Sequence, residues 1–189
     1  MSNARLRRRY RRAPWYKPTP GAGLVAVDLG KRKVGVALFT PEGTLDHAQT
    51  VHTQRGVKDW NPQTTAWAIQ AVVDNAPGRG GVPLNVRWDW VCEYPEQRGV
   101  SDRGNHHNIA PLQHVGDLLH GSVGWTEKYR PAEWKRHVKK ELHHRRIGEA
   151  LTASEREAVV WGSLGHDAKD AVGIGLFALG RIDHIGRAQ

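Results

Sequence analysis

The chain has very few of the residues that build cross-linked or membrane-spanning proteins. Cys92 is the single cysteine among 189 residues, which excludes an intramolecular disulfide framework and a zinc site built from cysteines. No apolar run approaches the roughly 20 residues that a membrane-spanning helix needs. The apolar run that follows the basic N-terminus is short and contains Asp28, which makes it a poor signal peptide. These absences predict a protein of the reducing cytoplasm.

Acidic residues are missing from the first 20 positions, and this absence sets the distribution of charge. That segment holds six arginines and one lysine, whereas the other 169 residues contribute only +2 to the formal net charge of +9. Three aromatic residues lie among the arginines, a composition typical of contact with nucleic acid; the alternative is a solubilising terminus. Because three prolines oppose regular structure there, we predict a disordered basic arm over residues 1–21 and one domain over residues 22–189.

The chain is organised around a predicted hairpin of two apolar strands. The first strand ends at Asp28, the chain turns through Gly30, and a second apolar run follows. A carboxylate at the end of a buried strand is costly without a partner, and a metal ion is a common strong partner. The alternative is an aspartate that only caps the turn. Gly35 removes a side chain from the second strand, so that another backbone or a ligand can come close there.

The remaining patterns predict an α/β domain. The predicted elements are strands at 22–29, 33–40 and 44–53, a helix at 61–75, a strand at 84–93, a helix at 105–120, a strand at 122–129, a basic helical segment from Pro131, a short helix after the capping box of Thr152 and Glu155, and a final helix from about Gly165. Three antiparallel strands followed by strands that alternate with helices imply a mixed sheet with helices on its faces. Small residues along the final helix predict that it packs very close to the sheet.

Four carboxylates stand where this order of elements could bring them together. Asp28 ends the first strand and Glu93 ends the fourth, while Asp167 and Asp170 lie three residues apart on one face of the final helix. Carboxylate oxygens are the ligands that Mg²⁺ and Mn²⁺ prefer, and two such ions ~4 Å apart can clamp a scissile phosphate. For Asp167 the alternative is a first-turn acid that stabilises the helix dipole.

The order and spacing of these motifs resemble those of RuvC-type Holliday junction resolvases, members of the RNase H-like superfamily. The run DLGKRKVG at 28–35 resembles the family's D-x-G-x-R-x-x-G opening, and HDAKDA at 166–171 resembles its D-A-x-D-A helix. Glu93 matches the strand-end glutamate between them, and YRPAEWK at 129–135 resembles the segment that carries a DNA-facing lysine. The resemblance covers roughly residues 22–182 and is closest to the shorter phage-encoded members.

The resemblance implies an RNase H-like fold with a mixed five-stranded sheet, three strands antiparallel and then two parallel. It also implies a metal-dependent endonuclease, a homodimer, that nicks two strands of a four-way DNA junction symmetrically and leaves 5′-phosphate and 3′-hydroxyl ends. The implied catalytic residues bind two Mg²⁺ ions, for which Mn²⁺ can substitute; they are Asp28, Glu93, Asp167 and Asp170. The predicted DNA contacts are Arg32, Arg98, Lys135, Lys139 and Lys140, with the second active-site lysine left open between the last two. No small-molecule cofactor is expected.

The histidines near these motifs are given ordinary roles. His143 and His144 are predicted to be exposed, because no carboxylate partner at zinc-site spacing is evident. His166 directly precedes Asp167 and is interpreted as a helix-start residue, with a general base or a metal ligand as the alternative.

Three other functions fit parts of the sequence. The hairpin at Asp28 is also similar to that of YqgF-type proteins, which act in RNA processing but lack a long basic segment before the final helix. Sugar and acetate kinases of the actin-like superfamily share a similar hairpin, but they need two such domains and about twice this length. A protein that binds branched nucleic acid without catalysis would be expected to have lost one of the four acids, and none is missing here.

Overall fold

The computed structural model describes residues 16–30, 32–53, 61–76, 87–94, 106–123, 127–135 and 138–182. Within these ranges the order of strands and helices is the one predicted from the sequence. None of the helices in the described ranges combines the length and the apolar composition that crossing a membrane would require.

The centre of the structure is a five-stranded mixed sheet. Its strands are β1 (Gly23–Asp28), β2 (Lys33–Phe39), β3 (Leu45–His52), β4 (Trp88–Glu93) and β5 (Glu127–Tyr129), in the spatial order β3-β2-β1-β4-β5. The strand β2 is antiparallel to both β1 and β3, whereas β4 runs parallel to β1 and β5 runs parallel to β4. This arrangement confirms the predicted mixed five-stranded sheet with helices on its faces.

Helices cover both faces of the sheet. They are α1 (Pro62–Asn75), α2 (His106–Val123), α3 (Pro131–Trp134), α4 (Lys140–Ala150), α5 (Ala153–Ala158) and α6 (His166–Ala178), with a 3₁₀ turn at Trp161–Ser163. The predicted caps are confirmed where they were named: Asn61 accepts a hydrogen bond at the start of α1, and Thr152 and Glu155 form a capping box on α5. One boundary was wrong, because Ser122 and Val123 belong to the end of α2 rather than to a strand.

Alternation along the strands creates two apolar cores. In β1, Leu24 and Ala26 pack on the face covered by α6, while Val25 and Val27 pack on the face covered by α1 and α2. The fourth strand follows the same rule, since Val91 joins the first core and its neighbours join the second. Successive side chains of a strand point to opposite faces of the sheet. The residue two positions after Ala26 in β1, and the residue two positions after Val91 in β4, therefore lie on the face that α6 covers.

The close packing of α6 depends on glycines, as the small residues in its sequence predicted. A Cβ atom built on Gly175 would lie 2.1 Å from the ring of Phe39 in β2, and one on Gly173 would lie 2.6 Å from Ile147 in the neighbouring helix α4. Real Cβ atoms do not approach other atoms this closely, so a larger residue would push the helix away.

The segment that enters the sheet is anchored to the beginning of β4. Tyr16 is 5% exposed and its hydroxyl donates a hydrogen bond to the buried carboxylate of Asp89. Thr19 donates two more hydrogen bonds to the same carboxylate, from its backbone N–H and its hydroxyl. The sequence analysis included residues 16–21 in the basic arm; of these, Tyr16 is buried and Thr19 is partly buried, while the other four are exposed. The arginine-rich residues 1–15 lie outside the described ranges.

A buried ion pair fixes the C-terminal end of α6. Glu155 is 2% exposed and receives two hydrogen bonds from the guanidinium of Arg181. The backbone N–H groups of Leu45 and Thr152 donate to the same carboxylate. Burial alone would raise the pKa of Glu155, but these hydrogen bonds outweigh it and lower the pKa to about 2. The carboxylate thereby ties α5, the start of β3 and the end of α6 together.

Replacing Glu155 by Gln should lower the free energy of unfolding at pH 7 by about 3 kcal/mol, because it leaves Arg181 without its charge partner. Since the carboxyl of Glu155 has a pKa of about 2 in the folded protein, below its ordinary value of 4.5, its stabilisation is complete above pH 4.5 and is lost as the pH falls toward 2. Urea denaturation of the wild type and the variant at pH 7 and pH 3 measures this. The exposed Glu157 of the same helix provides the control, Glu157→Gln. A wild-type advantage that does not shrink at pH 3 would contradict the assigned role.

Candidate active site

Two of the predicted carboxylates lie side by side at the ends of parallel strands. The register of β1 and β4 pairs Asp28 with Glu93. Because Asp28 follows Ala26 by two positions and Glu93 follows Val91 by two, both side chains project from the face that α6 covers. The structure therefore brings these two predicted residues together on the expected edge of the sheet.

The first two turns of α6 add the other two carboxylates, and a glycine of the sheet makes room for the helix. Gly35 of β2 is the register partner of Asp28. A Cβ atom on Gly35 would lie 1.8 Å from the backbone oxygen of Asp167, so the helix begins directly on this strand. The prediction that Gly35 admits another backbone is confirmed. Asp167 and Asp170 are thus held over the end of β1.

Crowding of negative charge is strongest at Asp28. Burial raises the pKa of Asp28 well above its ordinary value, and the charge of Glu93 raises it further. The carboxylates of Asp170 and Asp167 act in the same direction, while the ammonium of Lys135 opposes them. The charges of Glu93, Asp170 and Asp167 therefore all act on Asp28, and a bound cation would relieve this repulsion.

Lys135 lies among the carboxylates. Its Nζ is 2.9 Å from Oε2 of Glu93 and 3.7 Å from Oδ2 of Asp170. Burial alone would lower the pKa of Lys135, but the surrounding carboxylates, Glu93 first, raise it above the ordinary value. The lysine therefore stays charged and compensates part of the negative charge of the cluster. Its role as a DNA contact remains a prediction.

Two buried rings donate hydrogen bonds to the cluster. Nε1 of Trp134 is 2.8 Å from Oε2 of Glu93. Nε2 of His144 is 2.7 Å from Oδ1 of Asp170. Burial would raise the pKa of Asp170, but this hydrogen bond and the charge of Lys135 lower it below the ordinary value. Sequence analysis did not assign either ring to the site.

The prediction that the paired histidines of α4 are exposed was wrong. His143 is 2% exposed and His144 is 8% exposed. They stand four residues before Ile147 and Gly148, which are buried on the same helix, so the i, i+4 spacing carried the signal. Burial lowers the pKa of His143 to about 4, which leaves a neutral imidazole at pH 7 with its Nε2 3.6 Å from Asp170.

His166 is the first residue of α6, and Gly165 is the N-cap. The interpretation of His166 as a helix-start residue is confirmed. Its ring also stacks on that of His144, with centroids 5.2 Å apart and the two Nδ1 atoms at 3.3 Å.

The other predicted DNA contacts lie outside the carboxylate cluster. Arg32 is exposed in the β1–β2 turn, and Lys139 and Lys140 are exposed at the start of α4. Arg98 lies outside the described residues. These positions leave the choice between Lys139 and Lys140 open.

The donor set fits a hard divalent cation in its chemistry. It consists of carboxylates around the partly buried Asp28, whose pKa burial and the charge of Glu93 raise, and this is the environment that Mg²⁺ or Mn²⁺ stabilises. In the part of the chain that the structure describes, however, no three acidic, histidine or cysteine side chains are already grouped to hold one ion. Lys135 lies between two of the carboxylates instead, so a cation that bound there would compete with its ammonium group.

No protein-family model matches this chain, and no curated protein matches it in sequence. Among solved structures, Thermus thermophilus RuvC in complex with a Holliday junction substrate is 15% identical, with a TM-score of 0.47 over 85% of this chain and 95% of that one. A second Thermus thermophilus RuvC structure is 13% identical, with a TM-score of 0.48 over 84% and 97%. The yeast mitochondrial Holliday junction resolvase Ydc2 is 13% identical, with a TM-score of 0.45 over 96% and 87%. Similarity at this level does not assign an activity.

Gly35→Ala should destabilise the domain by about 1–3 kcal/mol, because the added methyl group would collide with the backbone of α6 rather than with a movable side chain. Urea denaturation measures the change. Gly162→Ala is the matched control, since a Cβ there would meet no atom within 4 Å; its effect should stay within about 0.5 kcal/mol. Equal effects of the two substitutions would contradict the close approach of α6 to β2.

Proposed function

We propose that this protein is a metal-dependent endonuclease that resolves four-way DNA junctions by paired symmetric nicks. The observation that carries the proposal is the electrostatic cluster of Asp28, Glu93, Asp167 and Asp170 at one edge of an RNase H-like sheet. The D-x-G-x-R-x-x-G and D-A-x-D-A motifs that supply these acids support the same activity. The proposal extends to a homodimer, because two symmetric nicks require two active sites related by a two-fold axis.

The four carboxylates would hold Mg²⁺ or Mn²⁺ in this proposal. Two such ions supply a more acidic water as the nucleophile and stabilise the leaving oxygen of the phosphodiester. Asp28 and Glu93 would contribute ligands from the ends of paired strands, and Asp167 and Asp170 from the first two turns of a closely packed helix. Lys135 would move from the carboxylates to a phosphate oxygen of the DNA. The exposed residues Arg32, Lys139 and Lys140 are proposed to bind the DNA backbone by charge, together with Arg98.

Two other functions remain as alternatives to test. A YqgF-like nuclease for RNA processing would use the same carboxylates on a different substrate. A non-catalytic protein that binds branched nucleic acid would need the basic residues but not the acids. The presence of all four acids in one cluster favours catalysis, since the mutual repulsion of crowded carboxylates costs stability that a binding protein has no reason to retain.

Cleavage of a labelled synthetic four-way junction tests the proposal. We expect paired symmetric nicks in Mg²⁺ or Mn²⁺ and none in chelator, with no cutting of linear duplex or of an RNA–DNA hybrid. Asp28→Asn should lower the rate by about 10²-fold or more, comparable to the loss of one preorganised electrostatic contact to a transition state.

The matched control is Asp74→Asn, an exposed residue of α1 on the opposite face of the sheet, which should cut as the wild type does. Cutting of the hybrid or of RNA alone would favour the YqgF-like alternative. Tight junction binding without cleavage in either metal would favour the non-catalytic alternative.

The basic arm is proposed to strengthen DNA binding. Tyr16, the first described residue, is anchored to Asp89 near the start of β4, whereas Glu93 ends the same strand. Four residues of a strand span about 13 Å, so the Tyr16 anchor and the carboxylates lie at opposite ends of β4.

Deletion of residues 1–15, which spares the Tyr16 anchor, should weaken junction binding and reduce its salt dependence. The slope of log K against log salt should become shallower by up to about 0.9 for each lost phosphate contact, while the cleavage rate at saturating protein stays unchanged. A titration over several salt concentrations measures the slope. Replacing the six arginines by lysines, which keeps the charge, is the control and should preserve the slope. An unchanged slope in the deletion variant would show that the arm makes no contact with the DNA phosphates.

A further inference from the structure

Two of the carboxylates receive hydrogen bonds from rings that the protein holds in place. Trp134 is fully buried, and its Nε1 donates to Oε2 of Glu93 at 2.8 Å. His144 is 8% exposed, and its Nε2 lies 2.7 Å from Oδ1 of Asp170. In each case the ring engages one oxygen of the carboxylate. The orientation of the carboxylate is thereby tied to the orientation of a buried side chain.

Packing restricts the motion of Trp134. Its ring lies 4.9 Å from that of His143, centroid to centroid. On the other side it faces α6, where a Cβ on Gly173 would lie 2.8 Å from the ring. A ring clamped in this way cannot change its rotamer without displacing α6 or α4. Its N–H group therefore points to one place, which is the carboxylate of Glu93.

A second contact fixes the ring of His144. An ionised carboxylate only accepts hydrogen bonds, so Nε2 of His144 must carry the proton that it donates to Asp170. Nδ1 of the same ring lies 3.3 Å from Nδ1 of His166, and the two rings stack with centroids 5.2 Å apart. The ring of His144 is therefore held at two points, by Asp170 on one nitrogen and by His166 on the other.

We propose that Trp134 and His144 are positioning residues, which orient the carboxylates of Glu93 and Asp170 for divalent cations. The inference rests on the proposed function in one respect, namely that these carboxylates bind such cations. Carboxylates that bind metals are themselves hydrogen-bonded in well-formed sites, and removing such a partner typically lowers metal affinity on the order of 10- to 100-fold. The tryptophan and the histidine provide these partners from α3 and α4.

The test measures Mn²⁺ affinity of the full-length chain by isothermal titration calorimetry. Trp134→Phe keeps most of the ring but removes the N–H donor, and His144→Leu removes the imidazole. Each should weaken Mn²⁺ binding on the order of 10- to 100-fold. His144→Gln, whose amide nitrogen can occupy the position of Nε2, should recover most of the affinity. Trp161→Phe makes the same substitution elsewhere in the core that contains Trp134 and should leave the affinity unchanged.

Thermal denaturation of the same variants separates positioning from a structural role. A purely structural role would lower the melting temperature of a variant and leave the Mn²⁺ affinity of its folded form unchanged, and this result would overturn the proposal. Recovery of the affinity in His144→Gln, together with a weaker affinity in a folded Trp134→Phe, would support it.

The junction assay distinguishes this inference from the proposed function. If the wild type binds Mn²⁺ and the variants bind it more weakly, but no substrate is cut, the positioning role of Trp134 and His144 is supported and the endonuclease proposal fails. If the wild type cuts junctions and the variants bind Mn²⁺ as tightly as it does, the endonuclease proposal stands and positioning fails. Absence of Mn²⁺ binding by the wild type would overturn both.

Discussion

The close approach of α6 to the sheet is the constraint on which the site depends. If larger side chains held the helix farther from the sheet, its acids would be too distant to join those of the strands. Gly35 lets the backbone of Asp167 contact β2, and Gly175 lets the ring of Phe39 in β2 contact the helix nearer its other end, while Gly173 admits Ile147 and Trp134 on the side of the neighbouring helices. The same glycines therefore serve the packing of the core and the convergence of the carboxylates. Stability and site geometry are coupled for this reason.

This convergence has an electrostatic cost, which the structure offsets in three ways. The ammonium of Lys135 contacts two of the carboxylates directly. The indole of Trp134 and the imidazole of His144 donate hydrogen bonds to the carboxylates of Glu93 and Asp170. Burial and the charge of Glu93 nevertheless raise the pKa of Asp28 well above its ordinary value. The position that would gain most from an added cation is therefore the end of β1, where the sequence first suggested a metal ligand.

Much of this arrangement could be predicted from the sequence, because the signals were local. Asp28 and Glu93 each end an apolar strand, Gly35 interrupts one, and Asp167 and Asp170 have the spacing of one helical face. The contributions of Trp134 and His144 could not be predicted in the same way. Each depends on a contact between segments 26 to 41 residues apart, and no local pattern encodes such a contact. The burial of His143 was recoverable from its i, i+4 spacing to Ile147, but a basic helix with few apolar residues favoured an exposed interpretation.

The described residues between Trp134 and His144 present two kinds of side chain, basic ones that face solvent and others that contact the carboxylates. The basic residues at 139 and 140 point to solvent, as expected for binding a polyanion. The rings and Lys135 contact the carboxylates on the inner side. The same two short helices, α3 and α4, would therefore carry both the proposed contacts with DNA on the outer face and the side chains that orient the carboxylates on the inner face. A change of affinity caused by a substitution in this segment has two physical origins, and only a measurement that omits the nucleic acid can assign it to the carboxylate site.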